Sequence, residues 1–305
     1  MTSKIRHFLN LANIDTNSIK HIIKLSHKLK KRGFKKKPLK NKFLSMIFEK
    51  PSTRTRISFE IGMKQLGGDV VTLDHADTQL GRGESIEDTV KVLCQYADII
   101  LYRGSSELLL NKISLVSSVP IINGLTDNSH PCQIMADIMT LEEKFKTSDK
   151  LVISWIGDGN NVCNSWIDIS RHYNFTLRVS TPDLFLPNME KLNAVKALGK
   201  DVSYVNDPKQ AVKNANVVIT DTWSSMGTKD TKKRLTKFSN YQVNNTLMKL
   251  TNNNSIFMHC MPAHRGQEVT SQIIDGPKSM VIEEAHNRLH VQKSILLWCM
   301  EMDAI

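Results

Sequence analysis

Ser52, Thr53, Arg54, Thr55 and Arg56 follow one another without a break. Three hydroxyls and two guanidinium groups this close together suit a dianion such as phosphate, which takes several charge-assisted hydrogen bonds at once. An apolar run at 43–48 comes just before them, and a helical pattern at 57–66, closed by Gly67 and Gly68, comes just after. The five residues therefore belong to a strand-to-helix turn. Such a turn leaves the first backbone N–H groups of the helix unpaired and presents the positive end of its dipole. A capping serine on a solvated basic helix would account for Ser52 and Thr53 alone. Two arginines two positions apart in the same turn favour the anion site. The turn lacks the glycines and the Gly-Lys-Ser/Thr ending of a Walker loop, so ATP is not implied.

The surrounding pattern predicts where that turn sits. Strands are expected at 43–48, 69–73, 98–102 and 120–123, between helices at 13–32, 53–66, 85–96, 106–117 and from 131 to about 145. Ser85-Ile86-Glu87-Asp88 reads as a capping box for the third of these helices. After a break near residue 148 the alternation restarts. Strands follow at 151–156, 176–180, 202–205, 217–220, 255–258 and 279–282, and helices at 162–173, 188–198, 240–249 and 284–302, with a short one from 207. The stretch 222–238 is polar and without period, and reads as a loop. The expected class is α/β: two domains, each a parallel sheet flanked by helices. The expected borders are 1–147, joined by the final helix at 284–305, and 148–283.

In open parallel sheets, ligands bind beyond the carboxyl ends of the strands. Polar residues recur at those ends: Arg103, His130-Pro131-Cys132-Gln133, Asn160-Asn161, Asp221, and His259-Cys260-Met261-Pro262. Singly each has a bland reading. His130 alone would be a structural histidine, and Cys260 alone a small buried apolar group. Gly157-Asp158-Gly159 lacks the third glycine of a dinucleotide fingerprint, which argues against a nicotinamide cofactor. The repeated coincidence at strand ends points to an anion-binding first half and a mixed polar second half.

Composition narrows the setting. The chain has 305 residues and a formal net charge of +11, much of it from the lysine-rich segment 28–42. That segment has no interleaved aromatics for base stacking, so a solvated surface is expected and nucleic acid is not. The five cysteines, Cys94, Cys132, Cys163, Cys260 and Cys299, include no C-x-x-C pair. This favours a reducing compartment over a disulfide framework or structural zinc. No apolar signal core and no membrane-length apolar run occurs, so a cytoplasmic protein without a membrane partner is expected.

Phe48-Glu49-Lys50-Pro51-Ser52-Thr53-Arg54-Thr55-Arg56, continuing to Ser58-Phe59-Glu60, resembles the carbamoyl phosphate signature of the aspartate and ornithine carbamoyltransferases. His130-Pro131-Cys132-Gln133 is similar to the family's second carbamoyl phosphate motif, and the resemblance runs over essentially the whole chain. Asp221-Thr222-Trp223-Ser224-Ser225-Met226-Gly227 and Phe257-Met258-His259-Cys260-Met261-Pro262-Ala263 resemble the ornithine-binding motifs. Met261 stands where the family usually has leucine, a volume-conserving change.

This resemblance implies transfer of the carbamoyl group of carbamoyl phosphate to the side-chain amine of ornithine, giving citrulline and phosphate. It also implies arginine metabolism. The attack is direct, through a tetrahedral intermediate, with no metal and no cofactor. It assigns the phosphate to Ser52, Thr53, Arg54 and Thr55, and the carbonyl oxygen to Arg103 and His130 with Thr55. Gln133 accepts from the carbamoyl amide, and Pro131, Cys132, Cys260, Met261 and Arg288 complete the carbamoyl phosphate contacts. Gln79 is implied to reach a neighbouring subunit's site, which places the sites at subunit interfaces of a homotrimer. Asn161, Asp221, Ser225 and Met226 would hold ornithine. Cys260 would partner the amine, from a cationic neighbourhood that favours thiolate chemistry, and is not a nucleophile. Arg103, His130 and Cys260 are thus the expected catalytic residues. Two alternatives are weighed against this: another amine acceptor, and a phosphate- or nucleotide-sensing protein of doubly wound fold. A sensor has no use for Arg103, His130, Asp221 and Cys260 together.

Overall fold

The structure is a computed structural model, and residues 5–32, 36–74, 83–223 and 232–303 are described. The chain forms two compact units, Met1–Met139 with His286–Ile305, and Thr140–Ala285. In the first unit, β1 (Phe43–Phe48), β2 (Asp69–Asp74), β3 (Ile99–Arg103) and β4 (Ile121–Leu125) form a parallel sheet ordered β2-β1-β3-β4. Its helices are α1 (Thr16–Arg32), α2 (Thr53–Gln65), α3 (Ile86–Leu93) and α4 (Glu107–Val116). The start of α5 (Pro131–Phe145) and most of the last helix also belong to it. After exposed Phe43, every residue of β1 is buried, the continuous apolar run of a parallel strand covered on both faces. Ile47, Ile100, Tyr102, Leu110, Ile113 and Ile121 meet in this unit's core. Each such side chain contributes about 1.5–3 kcal/mol by leaving water. The register sets Phe48 opposite both Asp74 and Arg103, so the turn at Ser52 begins level with the arginine that ends β3.

In the second unit, β5 (Val152–Ile156), β6 (Thr176–Ser180), β7 (Val202–Tyr204), β8 (Val217–Thr220) and β9 (Ile256–His259) form a parallel sheet ordered β7-β6-β5-β8-β9. Around it run α6 (Asn161–Ile169), α7 (Met189–Ala197), α8 (Pro208–Val212), α9 (Lys232–Phe238), α10 (Asn245–Met248) and α11 (Ser271–Ile274). The start of α12 (Val281–Cys299) belongs here too. Ile156, Val218, Trp223, Phe238, Phe257 and Val269 share its core. Thr220 pairs with His259, which sets Asp221 and Cys260 side by side just past the sheet.

The Ser85 cap is present: its hydroxyl accepts the Asp88 N–H at 3.1 Å and donates to the Asp88 carboxylate at 2.7 Å. Three expectations need correction. The end of the expected loop 222–238 is helical, as α9. Its apolar signal is only Leu235 and Phe238, three apart among basic residues, and Phe238 is anchored in the core. The expected helix 240–249 is broken, because Asn244 caps a shorter helix by accepting the N–H groups of Thr246 and Leu247 at 3.0 and 3.1 Å. The expected strand 279–282 is a single bridge from Ser279 to Phe257, after which α12 begins.

The turn after β5 is shaped by glycines. Gly157 has a φ of 129°, which side chains disfavour. A Cβ at Gly159 would collide with the backbone of Leu186 and Pro187, which no rotamer change relieves. Gly159→Ala is therefore expected to destabilise the protein by about 1–3 kcal/mol, read as a lower thermal or urea midpoint. An unchanged midpoint would show that this turn can shift freely.

Candidate active site

In the first unit, α2 starts directly from the end of β1. Ser52 occupies its N-cap with extended backbone (φ −156°, ψ 107°), yet its side chain makes no capping hydrogen bond. A hydroxyl not spent on the helix remains available to a ligand beside the first N–H groups. Arg54 is half-buried, whereas Arg56 turns outward to an exposed ion pair with Asp74 at 3.2 Å. Arg54 alone of the two arginines of the turn faces the cluster around His130.

Thr55 is buried and its hydroxyl accepts from two guanidinium groups. Arg103 Nη1 approaches at 3.2 Å and Arg288 Nη2 at 2.8 Å. Arg288 lies on α12 and is buried. Its Nη1 donates to Gln133 Oε1 at 2.9 Å, and Gln133 Nε2 donates to Asp137 at 2.9 Å. Arg288 and Asp137 thus fix the orientation of the Gln133 amide. His130 is buried, and that burial together with Arg288, Arg103 and Arg54 holds its imidazole well below the ordinary histidine range. His130 is therefore neutral at physiological pH, and a ring N–H there can donate without a positive charge of its own. Pro131 opens α5, and Cys132 is buried with Sγ donating to the Asn123 carbonyl at 3.4 Å. Burial pushes the Cys132 thiol up to about 12, so it serves as an apolar wall.

In the second unit, buried Asp221 is the centre. Oδ2 accepts from Asn160 Nδ2 at 2.7 Å and Oδ1 from Cys260 Sγ at 3.1 Å. Within this unit the Cys260 thiol donates to a carboxylate. Asn160, named with Asn161 at its strand end but not assigned to ornithine, caps α6 through the N–H groups of Val162 and Cys163 and reaches Asp221 with the other end of its amide. Asn161 is the first residue of α6 and also accepts from the Val162 N–H, at 2.9 Å. Met261 has a φ of 59°, and its N–H donates to His259 Nδ1 at 2.9 Å. That fixes the His259 tautomer, leaving Nε2 to donate to buried Glu268 at 3.3 Å. Asp221, His259 and Cys260 bring ligand-type atoms within 4.8 Å of one another. His259 bonds outside this trio, to the Met261 N–H and to Glu268, while the Cys260 thiol bonds to Asp221. Gln79, Ser225 and Met226 lie outside the described residues.

Two family models match the chain. The carbamoyl-P binding domain of aspartate/ornithine carbamoyltransferase matches residues 6–143, and the Asp/Orn binding domain matches residues 149–299. An ornithine carbamoyltransferase of Nitrobacter winogradskyi is 47% identical over 304 residues, covering 98% of this chain and 99% of that one. The ornithine carbamoyltransferase structure from Pyrococcus furiosus is 39% identical, with a TM-score of 0.93 and coverage of 97% of each chain. An anabolic ornithine carbamoyltransferase structure from Campylobacter jejuni is 34% identical, with a TM-score of 0.91 and coverage of 97% and 99%.

The cationic surroundings of His130 have a consequence for stability. The unfolded chain protonates this histidine as pH falls below about 6.5, while the folded chain resists, so stability is lost on acidification. His130→Gln removes that contribution. The expected result is a smaller drop in thermal midpoint between pH 7 and pH 5 than in the unchanged protein; equal drops would refute a neutral buried His130.

Proposed function

The chain belongs to the aspartate/ornithine carbamoyltransferase family, and we propose that it transfers the carbamoyl group of carbamoyl phosphate to the side-chain amine of L-ornithine, giving L-citrulline and phosphate. The observation that supports this most is the convergence of Arg103, Arg288 and Thr55 beside a neutral His130 at the start of α2. Carbamoyl phosphate is a dianionic phosphate joined to a planar carbamoyl group, and the cluster offers donors of both kinds. In this reading Ser52, Thr53, Arg54 and Thr55 hold the phosphate with the first N–H groups of α2. Arg103, His130 and Thr55 donate to the carbonyl oxygen, where negative charge grows as the amine attacks; one such donor is worth about 3 kcal/mol or more in the transition state. Arg288 positions Gln133 toward the carbamoyl amide.

The second unit supplies the amino-acid side. Asp221 gives an anionic partner for the α-ammonium of ornithine, with Asn160 and Asn161 beside it. The attacking amine must be neutral, although its unperturbed pKa is about 10. Cys260, already a hydrogen-bonding partner of Asp221, is the group proposed to meet that amine. Direct attack on an activated carbonyl forms a tetrahedral intermediate and expels phosphate, with no acyl-enzyme. Ser225 and Met226 are proposed to complete the ornithine pocket.

We further propose a cytoplasmic homotrimer acting in arginine biosynthesis, with Gln79 reaching a neighbouring subunit's site. Among the described residues no helix is long and apolar enough to cross a membrane. Apolar surface for self-association is present where β2 forms a sheet edge: Val71 is exposed there, as are Ile57 and Ile61 on α2.

The test is carbamoylation with ornithine, putrescine, acetylornithine and aspartate offered in parallel and each product detected separately. Product from ornithine alone is expected. Product from another amine instead would keep the carbamoyl phosphate assignment and overturn the acceptor. Arg54→Ala is expected to weaken carbamoyl phosphate binding at least about tenfold in a folded chain, measured by calorimetry; undiminished affinity would remove the phosphate-site assignment.

A further inference from the structure

Arg234 takes no part in the chemistry above, yet it touches the turns after three neighbouring strands of the second sheet. Those strands are β6, β5 and β8, adjacent in that order. Beyond β5, Arg234 Nη2 pairs with Asp158 Oδ2 at 2.5 Å. Beyond β8, its Nε donates to the Trp223 carbonyl. Beyond β6, the Phe185 ring lies under the guanidinium, with Cζ 4.3 Å from the ring centroid, and Phe238 flanks it at 5.1 Å. Phe238 stacks on Trp223 with ring centroids 5.2 Å apart. Phe185 in turn accepts the Gly159 N–H at 3.0 Å, so the β5 and β6 turns are tied together as well.

We propose that Arg234 is a positioning residue for the amino-acid pocket, pinning these turns so that Asn160 and Asp221 stay at the spacing the substrate reads. This rests on the assignment of Asp221 to the ornithine site. Arg234 holds the turns at Asp158 and Trp223, each two residues from one member of the 2.7 Å Asn160–Asp221 contact. It also cancels a repulsion. Burial, and to a lesser degree nearby Asp221, raise the Asp158 carboxyl to about 6 even with Arg234 drawing it down. One guanidinium between the aromatic rings thus opposes the repulsion between Asp158 and Asp221. The planar fork reaches two acceptors in fixed directions, whereas a lysine ammonium keeps the charge and loses that geometry.

The test uses the full chain and separates the two substrates. Arg234→Met is expected to raise the KM for ornithine about tenfold or more and to leave the KM for carbamoyl phosphate within about twofold. Arg234→Lys should recover part of the loss, because charge returns without the second acceptor. A merely structural role would instead lower the folded fraction, without a selective rise in the ornithine KM. A folded Arg234→Met enzyme whose ornithine KM stays within about twofold of the unchanged value would overturn the proposal. Should Arg234→Met not fold, Arg234→Lys and Asp158→Asn decide: an ornithine KM unmoved in both overturns it. Asp221→Asn is the control. If that substitution leaves the ornithine KM unmoved, the pocket assignment falls and this inference with it. If it raises KM and the Arg234 and Asp158 variants do not, the staple alone falls.

Discussion

The hydroxyl of Thr55 accepts from two guanidinium groups that come from distant parts of the sequence, Arg103 at the end of β3 and Arg288 on α12. Bringing two cations to one buried oxygen opposes folding, since like charges in a poorly solvated place repel. The core beneath supplies the compensation: β1 and β3 are locked in register, and α12 carries Arg288 in among buried Val291, Ile295 and Leu296. Burial, reinforced by the resulting positive potential, keeps His130 neutral. A neutral imidazole beside fixed cations can hydrogen-bond to an oxygen that is gaining charge, while the cations supply the attraction. A dianion entering this cluster would relieve the repulsion and stabilise the folded state by mass action.

The second unit is built on the opposite sign. Asp221 is a buried carboxylate that accepts from the Asn160 amide, the Cys260 thiol and the Thr222 backbone N–H, all of them neutral donors. Such a carboxylate keeps most of its attraction for an incoming ammonium. The thiol of Cys260 donates to that carboxylate. The backbone that presents it is held by the Met261 N–H on His259 and by His259 on Glu268, a chain of contacts closed within the unit.

Local signals made much of this legible. The apolar run of β1 and the helical period of α2 placed Ser52 through Thr55 on their turn, and that turn is present. The apolar blocks of the remaining strands up to His259 gave the two parallel sheets. What escaped the sequence depended on register or on single side chains. Arg54 and Arg56 lie two apart on α2, so the helix sends them to different faces, and Arg56 meets exposed Asp74. Arg288 reaches Thr55 across a separation of 233 residues, and no local pattern encodes that; resemblance named it. Asn160 was passed over for Asn161, although an asparagine just before a helical run is itself a capping signal. α9 was hidden by its lysines, since two apolar residues are too few to show a period.

Strand register explains why these sites can be so exact while the residues that build them are so scattered. A parallel pair has one register that buries its apolar residues on both faces, and a slip of one residue would exchange those faces. Once Thr220 is opposite His259, Asp221 and Cys260 have no choice but to be neighbours, and their 3.1 Å contact follows without a loop being shaped for it. The same holds for Phe48 opposite Arg103, which delivers a guanidinium to the turn before α2. Turns remain softer than strands, because no ladder of hydrogen bonds holds them. Precision lost there must be restored by side chains: Arg288 on Thr55 and Gln133 in one unit, and Asn160 on Asp221 in the other. Each of these contacts joins groups from different elements, so substitutions at such positions should act on geometry before they act on stability.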